Sequence, residues 1–339
     1  MFPPFDHAKF LGDAWKGQTP KWNLGSSGFH GGSWEGRGLG PAPDLAKADP
    51  AELNMVAQPA VMEALAAHLD LPAHCVLPTA GTTAANTAVL LAHQGRVLCE
   101  RPYYAPIPAL AKGLGSPVDW LGDWTAEGVA AGLQPDTKLV VFSSPNNPTG
   151  ASIPAQEWVR IAEAAAEVGA MVLVDQVFGD LTEPTVAGLH PNLVSTSGLN
   201  KAWGLASARF GWVAASAEHV ETYGNIHRYA ALAPSPVGEH IALRVLPQKE
   251  RCKQQLLEHL RAAHGHYNAF AERNGFPPAT GITAFPYVGG NTVAKAKQWR
   301  KEGLLVVPGE FFGVAGHIRI GLGGSGLEES LKRLETHLP

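Results

Sequence analysis

The stretch Ser197-Gly-Leu-Asn-Lys-Ala-Trp-Gly-Leu-Ala-Ser-Ala-Arg209 decides how this chain is interpreted. It places Lys201 eight residues before Arg209, with glycine and small residues between them. A lysine in apolar surroundings has a lowered pKa and can attack a carbonyl group. An arginine offers a rigid fork of donors that suits phosphate. Alone, each side chain would more often be a solvated loop residue or a salt-bridge partner, but the spacing after strand signals favours a functional site.

Two polar residues upstream each follow an apolar run. Asp175 ends the run 170–175, which predicts a buried parallel strand, and open α/β sheets bind ligands at the carboxyl ends of such strands. Asn147 lies in the segment 143–150, directly after the apolar run 139–142. Structural roles are the alternatives, because aspartate caps helices and asparagine is common in turns with proline and glycine.

Two further motifs suit anions. Gly81 and Thr82 precede an alanine-rich helical stretch, and the N–H groups at a helix N-terminus bind anions. An ordinary turn with a threonine cap is the alternative. Arg319 lies in a short predicted strand, 317–321, and a planar guanidinium binds a carboxylate through two parallel bonds. The alternative is an edge-strand arginine facing water.

From Gly81 to Arg319 these motifs occur in the order of the fold-type I pyridoxal-phosphate enzymes, and they resemble that group, the aspartate aminotransferase superfamily of class I/II aminotransferases. The resemblance implies that Lys201 binds pyridoxal 5′-phosphate as an imine and acts as general base and acid. It implies that Asp175 pairs with the pyridine nitrogen and that Asn147 donates to the phenolic oxygen of the cofactor.

The same resemblance assigns the rest of the pocket. Tyr104 matches the aromatic residue that stacks on the cofactor, although Tyr103 could take this role through a one-residue slip, and either could belong to the core. The segment Asn23–Gly28 is expected to fold over the substrate. The resemblance implies a phosphate cradle of Gly81, Thr82 and Arg209, and substrate contacts from Arg319, Ser26 and Asn147.

The chain departs from the family pattern at three places. Phe178 stands where the family usually has tyrosine, and a phenyl ring cannot donate to the cofactor. Gly198 replaces a serine that binds phosphate in many members, and Ser197 is the candidate substitute. The tyrosine that usually reaches across the dimer has no match around Asn54. These departures weaken the prediction of efficient transamination more than that of cofactor binding.

Composition excludes several classes of protein. The 339 residues are 45% hydrophobic and 17% charged, which supports a sizeable core and two closely joined domains. The net charge of −4 argues against nucleic-acid or membrane-surface binding. No segment has the signs of a signal peptide or of a membrane span, so a cytoplasmic location is expected. The three cysteines are expected to be buried free thiols, and the histidines show no metal-binding spacing.

Alternating apolar runs and helical stretches predict an α/β fold, with a mostly parallel sheet covered on both faces. A long helix is predicted over 248–273. The predicted large cofactor-binding domain spans 40–247, and 1–39 with 248–339 form a smaller α/β domain. Strands are predicted at 96–100, 118–120, 139–142, 171–174 and 193–195, and helices at 83–93, 125–131, 154–167 and 217–228.

The predicted function is that of a homodimeric, pyridoxal-phosphate-dependent aminotransferase, which moves an amino group between an amino acid and a 2-keto acid. Other reactions on this scaffold are the nearest alternatives, because a fold does not fix a reaction. They are β-elimination by a C–S lyase, decarboxylation and biosynthetic ring formation. A non-catalytic cofactor-binding sensor is the alternative from another class.

Overall fold

The computed structural model describes residues 2–16, 19–42 and 57–338; the region around Asn54 lies outside these ranges. The helices are α1 (Asp6–Trp15), α2 (Pro59–Leu69), α3 (Thr82–Ala92), α4 (Pro106–Gly113), α5 (Ala126–Gly132), α6 (Ala155–Ala166), α7 (Ala217–Ala231), α8 (Pro236–Val245), α9 (Lys249–Asn274), α10 (Thr292–Lys301) and α11 (Leu327–Glu335). The strands are β1 (Trp22–Asn23), β2 (Val76–Thr79), β3 (Arg96–Glu100), β4 (Val118–Leu121), β5 (Thr137–Ser143), β6 (Met171–Asp175), β7 (Leu193–Gly198), β8 (Gly211–Ala214), β9 (Thr283–Ala284), β10 (Leu304–Leu305), β11 (Val307–Pro308) and β12 (Ile318–Gly321).

The central sheet has seven strands in the order β2-β8-β7-β6-β5-β3-β4. The pairs from β4 through β3, β5 and β6 to β7 are parallel, whereas β8 pairs antiparallel with both β7 and β2. The predicted mostly parallel sheet is therefore confirmed, and its predicted strands agree with the structure to within a few residues.

Helices cover both faces of this sheet, which explains why its strands are apolar at successive positions. On β5, Val141 packs with α3, α4 and α7, whereas Phe142 packs with α5 and α6 on the opposite face. Because side chains alternate along a strand, each parallel strand contributes to both layers. Polar residues at the strand ends are then left at the edge where the loops begin.

The two ends of the chain meet in a second group of elements. Strands β11, β12 and β9 form a three-stranded antiparallel sheet with β12 in the middle, and β1 pairs in parallel with β10. Buried residues of α1, α9, α10 and α11 pack together with these strands. The long helix α9 matches the predicted span 248–273 and ends at Gly275, whose φ of +69° suits a left-handed cap.

A short loop, which we name the strap (residues 24–29), links β10 and β12 to the loop of Lys201. Its Leu24 N–H donates to Leu305 O at 2.8 Å, and Leu24 O accepts from Gly321 N at 2.7 Å. Its Phe29 N–H donates to Lys201 O at 3.0 Å. The strap therefore fixes the loop of Lys201 relative to the strand β12.

Candidate active site

Lys201 lies in the turn that follows β7 and is partly buried. Its Nζ donates a hydrogen bond to Ser27 Oγ at 3.2 Å and lies 5.9 Å from the ring centroid of Phe178. Burial and the positive charge of Arg319 lower the pKa of Lys201 to about 8, against the opposing effect of Asp175. About a tenth of the amine is thus neutral and nucleophilic at pH 7, far more than for an ordinary lysine.

Asp175 ends β6 with a side chain that is 2% exposed. Its Oδ2 accepts from Asn86 Nδ2 at 2.8 Å, and its Oδ1 accepts from Val177 N at 3.1 Å. Burial raises the pKa of Asp175 to about 6, while these hydrogen bonds lower it. A cation beside this carboxylate would favour its ionised form. Thr196 orients Asn86 in turn, because its Oγ1 donates to Asn86 Oδ1 at 2.5 Å.

Arg319 lies on β12, the middle strand of the small sheet, and is 2% exposed. The alternative of an edge-strand arginine facing water is therefore wrong. Its Nη1 donates to Asn147 Oδ1 at 3.2 Å and its Nη2 donates to Gly25 O, while the guanidinium carbon lies 5.4 Å from the Phe312 ring centroid. Burial lowers the pKa of Arg319 to about 10, so that it stays charged at neutral pH.

The predicted phosphate cradle begins where β2 leads into α3. Gly81 has a φ of +90° and precedes Thr82, the first residue of α3. A Cβ atom on Gly81 would lie 3.1 Å from Nη2 of Arg209, so the guanidinium lies beside this helix N-terminus. Arg209 itself has a φ of +48°, a strained conformation for a residue with a side chain, and such strain concentrates at functional positions. The arrangement fits a bound phosphate.

Ser197 is not part of this cluster, which corrects the expectation that it replaces the missing serine. Along β7, Thr196 and Gly198 face α3, so the side chain of Ser197 points to the opposite face of the sheet. Its buried Oγ has no hydrogen-bond partner among the described residues. A one-residue shift along a strand reverses the face, and Ser197 therefore cannot take over the position of residue 198.

Gly198 is required by the close approach of α3. A Cβ atom there would lie 2.7 Å from Thr82 Oγ1 and 2.8 Å from Phe210 O. Gly198 also pairs with Gly211 on β8, where a Cβ atom would lie 2.5 Å from Thr82 N. These two glycines allow the start of α3 to lie directly against the sheet.

We expect Gly198→Ala to lower the free energy of unfolding by about 1–3 kcal/mol, because the added methyl group overpacks this contact. Removing the opposing hydroxyl in a Thr82→Ala background should reduce the loss, since residues in contact are coupled. Urea denaturation of the single and double variants measures the coupling. Gly265→Ala in the middle of α9 is the control, because beyond the helix's own backbone no described atom lies within 4 Å of a Cβ atom there; it should leave stability unchanged or raise it slightly. Strictly additive losses at positions 82 and 198 would contradict the contact.

The predicted aromatic residue is best matched by Tyr104. Tyr104 lies beside Asn147 and Lys201 in the wall of a cavity, whereas the ring of Tyr103 stacks on Trp120 with a centroid distance of 4.5 Å. Phe178 is 5% exposed and belongs to the hydrophobic core. Of the two tyrosines, Tyr104 is therefore the one that lines this cavity together with Lys201.

One cavity of about 670 Å³ brings five of the predicted residues together. Its walls include Lys201, Arg319, Asn147, Tyr104 and Ser26. A smaller adjoining cavity shares several of these residues and is lined in addition by Asp175, Phe178, Thr82 and Asn86. In the described parts of the chain, no cluster of three or more His, Cys, Asp or Glu side chains could hold a metal ion.

Three residues of the site were not found from the sequence: Ser27, Asn86 and His7. A polar residue within the alanine-rich α3 could have pointed to Asn86, whereas nothing local marks Ser27.

His7 on α1 lines the large cavity and is 5% exposed, yet neither ring nitrogen has a hydrogen-bond partner among the described residues. Its ring stacks on Phe311 at 6.0 Å. Burial, followed by the charges of Arg319 and Lys201, lowers the pKa of His7 to about 3.

We expect His7→Phe to raise the free energy of unfolding by about 1 kcal/mol at neutral pH, because an unsatisfied buried polar group is removed. The difference should grow as the pH falls from 6.5 toward 3. In this window the unfolded wild-type chain binds a proton that the folded state excludes, so wild-type stability is lost. Thermal or urea unfolding between pH 4 and 8 tests this, with the exposed His74→Gln as control. Identical pH profiles for wild type and His7→Phe would refute it.

The fold and the site define a class: fold-type I pyridoxal-phosphate enzymes. The fold closely matches the solved structure of a PLP-dependent aminotransferase from Streptococcus suis 89-1591, with a TM-score of 0.86, 22% identity and coverage of 99% of this chain and 97% of that one. It also matches the PLP-dependent cyclase OrfR, with a TM-score of 0.85, 24% identity and coverage of 99% and 97%.

Sequence similarity identifies the family. Residues 52–338 match aminotransferase class I and II, so the chain belongs to this family of pyridoxal-phosphate-dependent aminotransferases. A curated relative, capreomycidine synthase from Streptomyces vinaceus, is 28% identical over 285 residues, which cover 74% of this chain and 70% of the relative. Pyridoxal phosphate is the cofactor of the family, and the carboxylate, lysine and helix N-terminus described above fit its ring nitrogen, aldehyde and phosphate.

Proposed function

We propose that this protein transfers an amino group between an amino acid and a 2-keto acid, with Lys201 and Asp175 as catalytic residues. The observation that supports this most directly is the convergence of Lys201, Arg319 and Asn147 on one cavity, with Asp175 in the adjoining one. A nucleophilic amine, a carboxylate at a strand end and a cation for an α-carboxylate are the groups that this reaction needs.

Lys201 would hold the cofactor through its amine. Once free, the same amine would take the proton from the substrate Cα as general base and later give a proton back as general acid. The pKa of about 8 suits both tasks, because the amine can exist in either form near neutral pH. Pyridoxal phosphate, when bound, supplies the electron sink for this chemistry.

Asp175 would hold the cofactor's ring nitrogen in its protonated form, with Asn86 and Val177 keeping the carboxylate in place. Arg319 would bind the substrate α-carboxylate, assisted by Asn147 and by Ser26 in the strap. The N-terminus of α3, at Gly81 and Thr82, and Arg209 would bind the phosphate. Tyr104 would stack on the ring, with Phe178 packed nearby.

We also propose a division into two domains: residues 40–247, which carry the central sheet, and residues 1–39 with 248–339, which carry the small sheet.

A homodimer is proposed because Tyr229 is 96% exposed and Leu232 is 37% exposed at the end of α7. The same helix contacts the phosphate cradle, where Ala80 N donates to His227 Nε2 at 3.1 Å. Light scattering of the wild type and Tyr229→Glu tests this.

Membrane association is not part of the proposal: no described helix is long and apolar enough to cross a membrane. A cytoplasmic location is proposed.

A second candidate is another pyridoxal-phosphate reaction, either ring formation, β-elimination or decarboxylation. Phe178 favours it, because the family's tyrosine donor is replaced by a group that cannot hydrogen-bond the cofactor. The relatives support it as well, since one is named a synthase and one neighbour a cyclase.

The test is the absorption spectrum of the protein with pyridoxal phosphate, before and after addition of a panel of L-amino acids. Conversion of the bound cofactor to its amine form, with release of a keto acid, supports transamination and identifies the substrate. A stable cofactor band with release of pyruvate, thiol, carbon dioxide or a cyclic product supports the second candidate. A lack of any cofactor band would refute both.

A further inference from the structure

The ε-amine of Lys201 has a defined partner in this structure, and that partner is contributed by a distant part of the chain. Lys201 Nζ donates to Ser27 Oγ at 3.2 Å, across 174 residues of sequence. Ser27 is 4% exposed and lies in the wall of the large cavity. The contact therefore belongs to the reacting end of the lysine and is partly buried.

The local structure of the strap directs this hydroxyl group toward the lysine. Asn23 Oδ1 accepts from Gly25 N at 3.0 Å and from Ser26 N at 3.2 Å, which folds the start of the strap into a turn. Asn23 Nδ2 donates to Ser26 Oγ at 3.0 Å, so the hydroxyl of Ser26 is already engaged. Phe29, two residues after Ser27, donates its N–H to Lys201 O and fixes the other end of the strap.

The charges around Lys201 explain why such a partner is needed. The protonated amine is surrounded by protein and close to the positive charge of Arg319, and both effects disfavour the ammonium form. Asp175 is the nearby compensating charge, but its carboxylate is engaged by Asn86 and Val177. A hydroxyl oxygen that accepts from the ammonium group stabilises the charged form without adding a second negative charge.

We propose that Ser27 is the positioning residue for the free amine of Lys201, holding Nζ in place and stabilising its protonated form whenever the lysine is not bonded to the cofactor. The proposal rests on the proposed function, because it assigns Ser27 a role through Lys201. The strap then contacts both groups that would meet the substrate: Ser27 accepts from Lys201, which would act at Cα, and Gly25 accepts from Arg319, which would bind the carboxylate.

The test follows the rate at which the full-length chain, freed of cofactor, binds pyridoxal phosphate between pH 6 and 10. Only the neutral amine reacts, and with a pKa of about 8 roughly a tenth of it is neutral at pH 7. Removing the hydroxyl in Ser27→Ala should move the inflection of the pH profile to lower pH. Binding should then be about five-fold faster at pH 7 and unchanged at pH 10, where the amine is neutral in both proteins.

The same variant should convert amino acids about ten-fold more slowly, because the freed amine is no longer held near the substrate Cα. Faster cofactor capture combined with slower turnover cannot arise from general damage to the fold.

Ser27→Thr and Ser27→Val form a matched pair of similar shape, of which only threonine keeps the hydroxyl. Threonine should keep the wild-type inflection and valine should shift it. Ser33→Ala, which changes an exposed serine a few residues after the strap, is the control for an unspecific serine effect.

Superimposable pH profiles for the wild type, Ser27→Ala and Ser27→Val would overturn the proposal and leave the proposed function intact. Equal behaviour of Ser27→Thr and Ser27→Val would overturn it as well, and this pair decides the matter even if Ser27→Ala folds poorly. Failure of the proposed function would look different, because the wild-type protein itself would then form no bond with pyridoxal phosphate.

Discussion

Lys201→Ala is expected to lower the rate of amino-group transfer by at least about 10,000-fold. In the proposed function, Lys201 supplies both the covalent attachment of the cofactor and the group that moves the proton at the substrate Cα, and the substitution removes both. The absorption band of lysine-bound cofactor should disappear, while binding of pyridoxal phosphate through the proposed phosphate cradle at the N-terminus of α3 should remain. Absorption spectroscopy and a coupled assay of keto-acid release measure the two effects separately.

Lys297→Ala is the matched control for Lys201→Ala, because Lys297 is an exposed lysine on α10. It should keep wild-type turnover and the wild-type spectrum. Partial recovery of Lys201→Ala by added small amines would strengthen the assignment, because they restore a base at the same place. Full activity of Lys201→Ala would exclude Lys201 as the catalytic residue.

Asp175→Asn is expected to lower kcat by about 100- to 1,000-fold, which is the usual effect of removing one preorganised electrostatic partner. The amide has the shape of the carboxylate but cannot carry a negative charge beside the ring nitrogen, so the electron sink is weakened. Cofactor binding should change much less, since the lysine and the phosphate cradle remain. Steady-state kinetics and a cofactor titration distinguish the two effects.

Glu163→Gln, which neutralises an exposed carboxylate on α6, is the matched control for Asp175→Asn. A wild-type kcat in Asp175→Asn would show that this carboxylate caps its own loop through Val177 and does no more. A joint loss of turnover and thermal stability would instead indicate a structural role for the contact with Asn86. The assignment stands only if turnover falls while the melting temperature is kept.

The sheet could be predicted from the sequence because its strands are buried on both faces and therefore appear as short apolar runs. Asp175 and Arg319 stood out because each is a charged residue within or at the end of such a run, and the order of the motifs favoured a functional role over a capping aspartate or an edge-strand arginine. The position of Lys201 followed from its spacing to Arg209. These inferences needed only local patterns and the order of the motifs.

The site residues that the sequence did not identify, or identified wrongly, have a common physical reason. Ser27 and Asn86 act through contacts with residues 174 and 89 positions away, and no local pattern encodes such an approach. Ser197 was chosen for its chemistry and its nearness to Gly198, although neighbours on a strand face opposite sides. The burial of the His7 ring without hydrogen-bond partners in the described part of the chain depends on how α1 packs over the cavity, which no local sequence pattern encodes.

The guanidinium of Arg319 is already hydrogen-bonded to Asn147 and to the carbonyl of Gly25. A compound entering this position therefore exchanges one set of bonds for another, and its affinity reflects only the difference between them. Inhibitor design should favour rigid, flat acids that offer two acceptors at once. Neutral fragments, or acids that engage a single nitrogen, would displace existing bonds without replacing them, and screening at low concentration would miss this pocket.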